Sequence, residues 1–206
     1  MINKETKIYC SFSSNPGNNG CIFFNSEFKE LNMNAIYKSF YSDDIKKSIE
    51  SVKSLDIKGF ALSMPFKIEA LNYLGGVESS VKKIGSVNTV VNNDGYLRGY
   101  NTDWIGVQKY FELRDFDFIY IVGNGGFSKA VQYTCNIMDI KFEIITRENW
   151  NIIEELEDKI IFNATPVDIK TDNFLIDGRP HTDTGKEMAL YQAKEQFKIY
   201  TGVQID

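Results

Sequence analysis

A lysine and an aspartate, each placed beside the end of a strand, are the residues of this sequence best suited to acid–base chemistry. Lys67 follows the apolar run KGFALSM, which favours a short buried strand that ends at Pro65, because proline cannot extend a ladder. Asp103 follows YLRGY, which pairs with NTVVN across the turn sequence NDG in a pattern typical of a hairpin. A lysine ammonium paired with a carboxylate can exchange a proton with a polyol hydroxyl without a metal ion.

Both residues also have an ordinary structural interpretation. A single lysine is usually a solvated surface charge, and an aspartate that opens a helix is usually a cap. The surrounding segments favour the catalytic interpretation. SMPFK at residues 63–67, SVNTVVN at residues 86–92 and GYNTDWIG at residues 99–106 together resemble the shikimate dehydrogenase family in order and spacing. With NPGNNGCIFFN upstream, SMPFK is most similar to the shikimate dehydrogenase-like branch of that family.

The resemblance implies an activity, a cofactor and a set of site residues. The activity would be reversible hydride transfer between NADP and a ring alcohol of shikimate or a close relative. Lys67 would move the hydroxyl proton, and Asp103 would orient both Lys67 and the hydroxyl. The residues that match substrate contacts of the family are Ser63, Asn88 and Gln192. The alternatives for Asn88 and Gln192 are an amide that caps its own loop and a solvated residue at a helix boundary.

The loop SNPGNNG departs from the family pattern. Family members carry a serine pair here that holds the substrate carboxylate, and the matched positions in this chain are Asn18 and Gly20. Asparagine amides and loop N–H groups can donate to a carboxylate, so Asn18 and Asn19 are candidate substrate contacts. They can equally be plain turn residues. The change leaves open a dehydrogenase for another cyclic polyol acid, such as quinate, or for an amino-substituted ring.

The elements that precede Lys67 predict a parallel sheet. Residues 7–12 and 34–40 alternate like strands, and helices are expected at about residues 23–31 and 43–55. Strands that alternate with helices form right-handed crossovers, so Lys67 should lie at the carboxyl edge, where such sheets bind ligands. The predicted apolar face of the second helix consists of Ile45, Ile49, Val52 and Leu55.

A second chemical signal is the segment FIYIVGNGGFSKA, in which a strand pattern leads through a glycine turn into a helix. Such a turn lets backbone N–H groups approach a pyrophosphate, which the positive helix N-terminus also attracts. The glycine pattern alone can be a structural turn, but its place between a strand and a helix favours dinucleotide binding. The candidate cofactor contacts are Gly123, Asn124, Gly125, Gly126 and Phe127.

Residues after the next strand bear on which nucleotide binds. That strand is expected to end at Thr146 and Arg147, where the family places an arginine for the 2′-phosphate of NADP. Glu148 instead suits the ribose hydroxyl of NAD, or a surface ion pair with Arg147. We favour NADP over NAD because the arginine occupies the matched position, although a carboxylate would repel a second phosphate. The segment NATP, which contains Ala164 and Thr165, resembles a family segment near the cofactor.

The end of the chain predicts a small second lobe and a closing helix. Residues 168–185 form a polar, turn-rich stretch where family members carry at least one further strand and helix. We therefore expect an α/β protein with a substrate-binding lobe of residues 1–104 and 186–206 and an abbreviated Rossmann-like NADP-binding lobe of residues 105–185. The chemistry would lie in the cleft between them. The closing helix, which should return to the first lobe, carries an apolar stripe of Ala189, Ala193, Phe197 and Tyr200.

The abbreviated lobe also supports a different class of protein. A non-catalytic ligand-binding protein could keep the substrate pocket while its cofactor lobe shrinks. The intact Lys67 and Asp103 favour an enzyme, whereas the missing strand and helix favour a binding protein. Binding of substrate without any binding of nucleotide would identify the second class.

Composition excludes several other classes. The 206 residues, 43% hydrophobic and 14% aromatic, suffice for one large or two small packed domains. A net charge of −5 without clustered Lys and Arg argues against a nucleic-acid or anionic-membrane surface. No apolar run approaches the about 20 residues of a membrane span. The expected partner is therefore a small molecule, bound to a monomer or homodimer.

Metal and thiol chemistry are also not expected. His181 is the only histidine, so neither a catalytic triad nor a histidine-rich metal site is predicted, although carboxylate metal sites stay open. Three cysteines without metal-ligand spacing predict reduced thiols in a cytoplasmic protein.

Overall fold

The computed structural model describes residues 2–205 and divides into two compact units. The first unit comprises the chain through Asn101 together with the residues from Ala193 onward, and the second comprises Thr102–Gln192. Each unit holds one β-sheet with helices packed against it. The predicted α/β class is confirmed. None of the helices between residues 2 and 205 has the length and apolar character that a bilayer crossing needs.

The first unit holds, within the described residues, a six-stranded mixed sheet with the order β2-β1-β3-β5-β6-β4. The predicted parallel arrangement is confirmed for β1, β2 and β3, which pair in parallel. β5 pairs with β3 in the antiparallel direction, and the hairpin that follows pairs β6 with β5 in the same way. The strands are β1 Lys7–Ser13, β2 Ala35–Tyr41, β3 Gly59–Leu62, β4 Gly76–Val77, β5 Thr89–Asn93 and β6 Tyr96–Tyr100.

The hairpin of β5 and β6 has the turn that its sequence predicts. Asp94 and Gly95 both have positive φ, at 50° and 92°, as a two-residue type I′ turn requires. The side-chain oxygen of Asn92 accepts a hydrogen bond from Gly95 N at 2.8 Å, which closes the turn. This local chemistry fixes the register that carries the chain on to Asp103.

Helices of the first unit follow the predicted pattern with two corrections. α1 covers Asn19–Glu30 and begins four residues earlier than predicted, while α2 covers Ile45–Ser54 and α3 covers Ser79–Ile84. Asp44 caps α2 by accepting from Lys47 N at 3.0 Å. Leu55, predicted on the buried face of α2, is exposed because the helix has already ended. The buried face is Ile45, Ile49 and Val52.

The second unit holds, in the described part of the chain, a four-stranded parallel sheet with the order β10-β9-β7-β8. β7 comes first of these four strands in the chain and lies inside the sheet, as the first strand does in doubly wound folds. α4 and α5 share a core with one face of the sheet through Val107, Phe111 and Val131, and α6 packs on the other through Ile153. The elements are α4 Asp103–Glu112, β7 Phe118–Val122, α5 Gly126–Ile137, β8 Lys141–Ile145, α6 Ile152–Glu155, β9 Ile160–Asn163 and β10 Phe174–Asp177.

Strand β10 corrects a prediction. Residues 168–185 were expected to lack regular structure, yet Phe174–Asp177 pairs in parallel with β9. Leu175 and Ile176 pack into the cores on opposite faces of the sheet, which is why so short an apolar run is a strand.

The backbone of Asp177 is bonded to the loop that follows β10. Asp177 N donates to Thr184 Oγ1 at 2.9 Å, and the Asp177 carbonyl accepts from the hydroxyls of Thr182 and Thr184, each at 2.8 Å. Phe174 N and Gly178 N instead donate to the carbonyls of Lys159 and Asn163 beside β9. Because bonding alternates along a strand, Asp177 presents its backbone to the side away from β9.

The last helix, α7, covers Asp183–Thr201 and belongs to both units. In the second unit its backbone passes so close to α4 that a Cβ on Gly106 would lie 2.5 Å from the Met188 carbonyl oxygen. In the first unit Phe197 and Tyr200 are buried against Phe24, with ring centroids 6.2 Å and 5.8 Å from its own. The predicted packing of the closing helix on the first lobe is confirmed for these two aromatic residues.

Candidate active site

The SMPFK segment is held at the carboxyl edge of β3 by its own backbone. Ser63 N donates to the Phe12 carbonyl at 3.1 Å, and Phe66 N donates back to the Ser63 carbonyl at 2.9 Å. The Phe66 ring is buried in the hydrophobic core of the first unit. The Lys67 carbonyl accepts from Val87 N at 2.8 Å, so both sides of Lys67 are fixed while its side chain is half-buried.

Asn88 lies at the same edge of the sheet. Its carbonyl accepts from Leu62 N, the last residue of β3, at 2.8 Å, and its N–H donates to the Tyr100 carbonyl at 3.1 Å. The side chain is buried, and its Oδ1 accepts from the Thr89 hydroxyl at 2.8 Å. The structure therefore brings Ser63, Lys67 and Asn88 together at one end of β3.

Gln196 on α7 is a neighbour of this edge that the sequence analysis missed. Its buried side chain donates from Nε2 to Thr89 Oγ1 at 2.7 Å and to the Asn88 carbonyl at 3.3 Å. The predicted contact Gln192 lies one helical turn earlier and is half-buried in the second unit. The four-residue spacing of the two glutamines is the signal that could have placed both on one helix face.

The loop before α1 starts next to SMPFK. Ser13 Oγ donates to the Met64 carbonyl at 3.3 Å, and Ser14 N donates to the same oxygen at 3.4 Å. Asn18 occupies the N-cap position of α1 but its side chain makes no capping hydrogen bond. Asn18 and Asn19 are both exposed at the positive end of this helix. Such an end favours an anionic group, as the predicted carboxylate contact requires.

Asp103 begins α4, as predicted, and is 5% exposed. The preceding strand is anchored by Asn101, whose amide donates to the Ser86 carbonyl at 2.9 Å and to the Ser86 hydroxyl at 3.1 Å. A carboxylate in the first turn of a helix is stabilised by the macrodipole. The pairing of Asp103 with Lys67 stays a prediction.

The glycine turn after β7 requires glycine at its first position. Gly123 has φ of +106°, and a Cβ there would lie 2.8 Å from Thr165 Cγ2. Its N–H donates to the Ile145 carbonyl at 2.8 Å, and its carbonyl accepts from the Ser128 hydroxyl at 2.6 Å. This turn therefore lies against the segment after β9, at the point where the strand order of a doubly wound sheet reverses and ligands bind.

The next residues leave the N-terminus of α5 accessible. A Cβ on Gly125 would meet no heavy atom within 4 Å, and Asn124 is exposed. Backbone N–H groups at such an end can bind a phosphate. The Phe127 ring is instead directed into the unit, where it packs against Phe162 with centroids 5.9 Å apart and covers Gly178.

The segment after β8 differs from its prediction. The strand ends at Ile145 rather than at Arg147, because Thr146 caps a short 3₁₀ helix at Arg147–Asn149. Thr146 N donates to Asn149 Oδ1 at 2.6 Å. Arg147 and Glu148 are both exposed, and among the described residues no ion pair joins them. Arg147 is thus available to a ligand.

A charged cluster closes the end of β10. Arg179 donates from Nε to both Asp177 oxygens at 3.0 Å and from a terminal nitrogen to Asp168 at 2.6 Å. Burial by itself raises the pKa of Asp177, but the hydrogen bonds and positive charge of Arg179 outweigh burial and hold that pKa below its ordinary value. Asn163 at the end of β9 is a further neighbour of Asp177, at 3.5 Å.

Asp177→Asn is expected to lower the free energy of unfolding at pH 7 by about 2 kcal/mol, because Arg179 then keeps only the exposed Asp168 as a charged partner. A carboxyl whose pKa is depressed in the folded state stabilises the fold above its unfolded pKa of about 4 and loses this effect below it. Urea unfolding at pH 7 and pH 3 should show the gap between variant and wild type narrowing at pH 3. Asp168→Asn, at an exposed partner, should cost less than about 1 kcal/mol. Equal losses at the two positions would contradict the assignment.

The two buried thiols are poorly suited to act as nucleophiles. Cys10 and Cys135 are buried, and burial raises the pKa of both, in Cys135 to about 12. Both are therefore protonated at neutral pH, and a protonated thiol is a poor nucleophile.

Comparison with known proteins gives consistent matches. Residues 20–90 match the family described as the shikimate dehydrogenase substrate binding domain. A shikimate dehydrogenase-like protein of Haemophilus influenzae is 42% identical over 134 residues, covering 64% of this chain and 49% of the relative. The shikimate dehydrogenase (NADP(+)) of Pyrococcus furiosus is 43% identical over 139 residues, 65% and 51% of the two chains. The chain thus spans about half the length of these two relatives.

A third relative matches along the whole of this chain. The shikimate dehydrogenase (NADP(+)) of Aquifex aeolicus is 30% identical over 262 residues, covering 100% of this chain and 95% of the relative. The crystal structure of the Aquifex aeolicus enzyme superposes with a TM-score of 0.80 at 26% identity, over 100% of this chain and 96% of the other. The structure of a shikimate 5-dehydrogenase-like protein superposes with a TM-score of 0.82 at 29% identity, over 100% and 95%.

Proposed function

This chain belongs to the shikimate dehydrogenase family, and we propose on that basis that it catalyses reversible NADP-dependent hydride transfer between shikimate, or a close cyclic polyol acid, and its 3-dehydro ketone. The observation that carries the proposal is the shared edge of the first sheet at which Ser63, Lys67 and Asn88 lie. The first unit would bind the substrate and the second the nucleotide.

Lys67 is the proton-transfer residue of the proposed reaction. Its ammonium group, formed when it takes the hydroxyl proton, stabilises the negative charge that develops on the ring oxygen. Asp103, in the first turn of α4, orients Lys67 and the reacting hydroxyl. Ser63, Asn88 and Gln192 hold the ring by hydrogen bonds.

The substrate carboxylate is assigned to the loop before α1. The exposed Asn18 amide makes no capping bond, and the positive end of α1 lies beside it. Asn18 and Asn19 would donate to the carboxylate from this end. Ser13 and Ser14, bonded to the Met64 carbonyl, hold the start of the loop beside the SMPFK segment.

The second unit fits a dinucleotide. The open space beside Gly125 and the accessible N-terminus of α5 suit a pyrophosphate, which the N–H groups of residues 123–127 would contact. Thr146 and Arg147 would hold the 2′-phosphate, and the segment with Thr165 lines the same turn. When bound, the nicotinamide accepts the hydride from the ring carbon in one direction and returns it in the other.

The proposal is tested by nicotinamide absorbance with purified protein, using shikimate and quinate, each with NADP and with NAD. We expect reduction of NADP with shikimate to be fastest. Faster turnover of quinate would move the assignment to another polyol acid of the same reaction class. No change in absorbance with any of the four combinations of substrate and nucleotide, together with no nucleotide binding by calorimetry, would overturn the enzyme assignment in favour of a ligand-binding protein.

Arg147→Ala is expected to raise KM for NADP by about 30-fold and KM for NAD by less than about twofold, because the guanidinium contacts only the 2′-phosphate. Steady-state kinetics with each nucleotide measures the change in KM for NADP and the change in KM for NAD. Arg98→Ala, at an exposed arginine of the first unit, is the matched control and should change neither constant. Equal losses for the two nucleotides would remove Arg147 from phosphate recognition.

A further inference from the structure

Two buried side-chain amides in the first unit are joined by one hydroxyl group. Gln196 Nε2 lies 2.7 Å from Thr89 Oγ1, and Thr89 Oγ1 lies 2.8 Å from Asn88 Oδ1. All three residues are at most 5% exposed. The chain of contacts runs from α7, which closes the first unit, to the sheet edge that carries Ser63 and Lys67.

The direction of the hydrogen bonds follows from the Asn88 carbonyl. That oxygen can only accept, and it lies 3.3 Å from Gln196 in addition to its bond from Leu62 N. The end of the Gln196 amide that faces it must therefore be the NH₂ group, because two facing oxygens would repel each other. The same NH₂ group donates to Thr89 Oγ1, and the single hydrogen of the Thr89 hydroxyl is directed to Asn88 Oδ1.

We propose that Gln196 and Thr89 are positioning residues that fix the Asn88 amide with its oxygen turned inward and its NH₂ group as the end offered to the substrate ring. An NH₂ group donates to an oxygen lone pair of a hydroxyl or a ketone. An ammonium group has three donors and no lone pair, so the same amide disfavours it. This hydrogen-bonded relay of Gln196, Thr89 and Asn88 thereby selects rings with an oxygen substituent where Asn88 contacts them, and disfavours rings with an amino group there.

The specificity part of this inference rests on the proposed dehydrogenase activity, whereas the direction of the hydrogen bonds does not. A purely structural role for Gln196 would change stability and both substrates alike. A positioning role would change the Asn88 amide and the choice between ring substrates, with the nucleotide constants unaffected. The two roles can therefore be distinguished by the NMR signal of the Asn88 amide and by the kinetic constants for the ring substrates.

The first measurement is the side-chain amide spectrum of ¹⁵N-labelled protein, with the Asn88 pair assigned by its loss in Asn88→Asp. Thr89→Val, which preserves shape and suits a strand, should shift the Asn88 pair, and Gln196→Met should shift it as well. Thr89→Ser keeps the hydroxyl and should restore the wild-type signal. Gln204→Met makes the same substitution at an exposed position and should leave the Asn88 pair in place.

The second measurement is kinetic. Thr89→Val and Gln196→Met should raise KM for shikimate about tenfold with KM for NADP within twofold of wild type. The preference for shikimate over analogues with one ring hydroxyl replaced by an amine should fall about tenfold. An Asn88 signal unchanged in both variants would overturn the relay whether or not the protein turns over shikimate. Equal changes in the constants for ring and nucleotide would reduce it to a structural contact.

Discussion

Lys67→Ala is expected to lower kcat for shikimate oxidation by at least about a thousandfold, with KM for NADP little changed. In the proposed mechanism the substitution would remove both the group that takes the hydroxyl proton and the charge that stabilises the ring oxygen, and each effect alone is worth about a hundredfold or more. The fold should persist, because the segment is anchored by the buried Phe66 ring and by the bond from Val87 N to the Lys67 carbonyl.

The controls for Lys67 separate chemistry from folding. Lys82→Ala removes an exposed lysine from α3 and should leave kcat unchanged. Added small primary amines should restore part of the activity of Lys67→Ala by entering the space that the side chain leaves. Thermal unfolding of the variant should match the wild type. A kcat that survives the substitution would remove Lys67 from the mechanism.

Asp103→Asn is expected to lower kcat by about a hundredfold or more, because an amide would lack the negative charge with which Asp103 is proposed to orient Lys67. Asparagine has nearly the same shape and is well accepted at helix starts, so α4 should still begin at this position. Steady-state kinetics and far-UV circular dichroism together measure the effect.

Asp183→Asn supplies the matched control for Asp103. Asp183 is the first residue of α7, as Asp103 is of α4, but it is exposed. The same substitution should leave kcat unchanged there. If both variants lose activity equally, the effect of Asp103 comes from helix capping rather than from acid–base chemistry.

Local chemistry explains which parts of the fold the sequence could predict. The hairpin turn at Asp94 and Gly95, the capped helix α2 and the glycine turn at Gly123 each depend on residues within a few positions of one another. The strand and hairpin patterns also placed Lys67 after β3 and Asp103 at the start of α4, where the structure has them. Their roles in catalysis stay predictions.

Long-range contacts explain what the sequence did not predict. β10 is a strand because it pairs with β9 and buries Leu175 and Ile176 on opposite faces, and neither fact is visible in its polar surroundings. Gln196 contacts Thr89 across more than half of the chain, so no local pattern marks it. β8 ends early because Thr146 and Asn149 form a capping box that starts a 3₁₀ helix, a local signal that the apolar pattern of the strand does not contain.

The length of the chain can be compared with the number of strands in the second sheet. Its alignment to the Aquifex aeolicus relative extends over 262 residues, more than the 206 of this chain. Six-stranded doubly wound sheets have strands outside the four that correspond to β8, β7, β9 and β10. The four strands of the second unit include the pair β7 and β9, and the glycine turn after β7 lies against the segment after β9. A sheet of these four strands is therefore enough to carry the glycine turn.

The hydroxyls of Thr182 and Thr184 protect the edge of this sheet at Asp177. An edge strand with free N–H and C=O groups is a template for another chain, and unprotected edges lead to aggregation. Here the outward backbone groups of Asp177 are already bonded to the loop that follows. The loop that follows β10 thus occupies the backbone groups of Asp177 with which a second chain would otherwise pair.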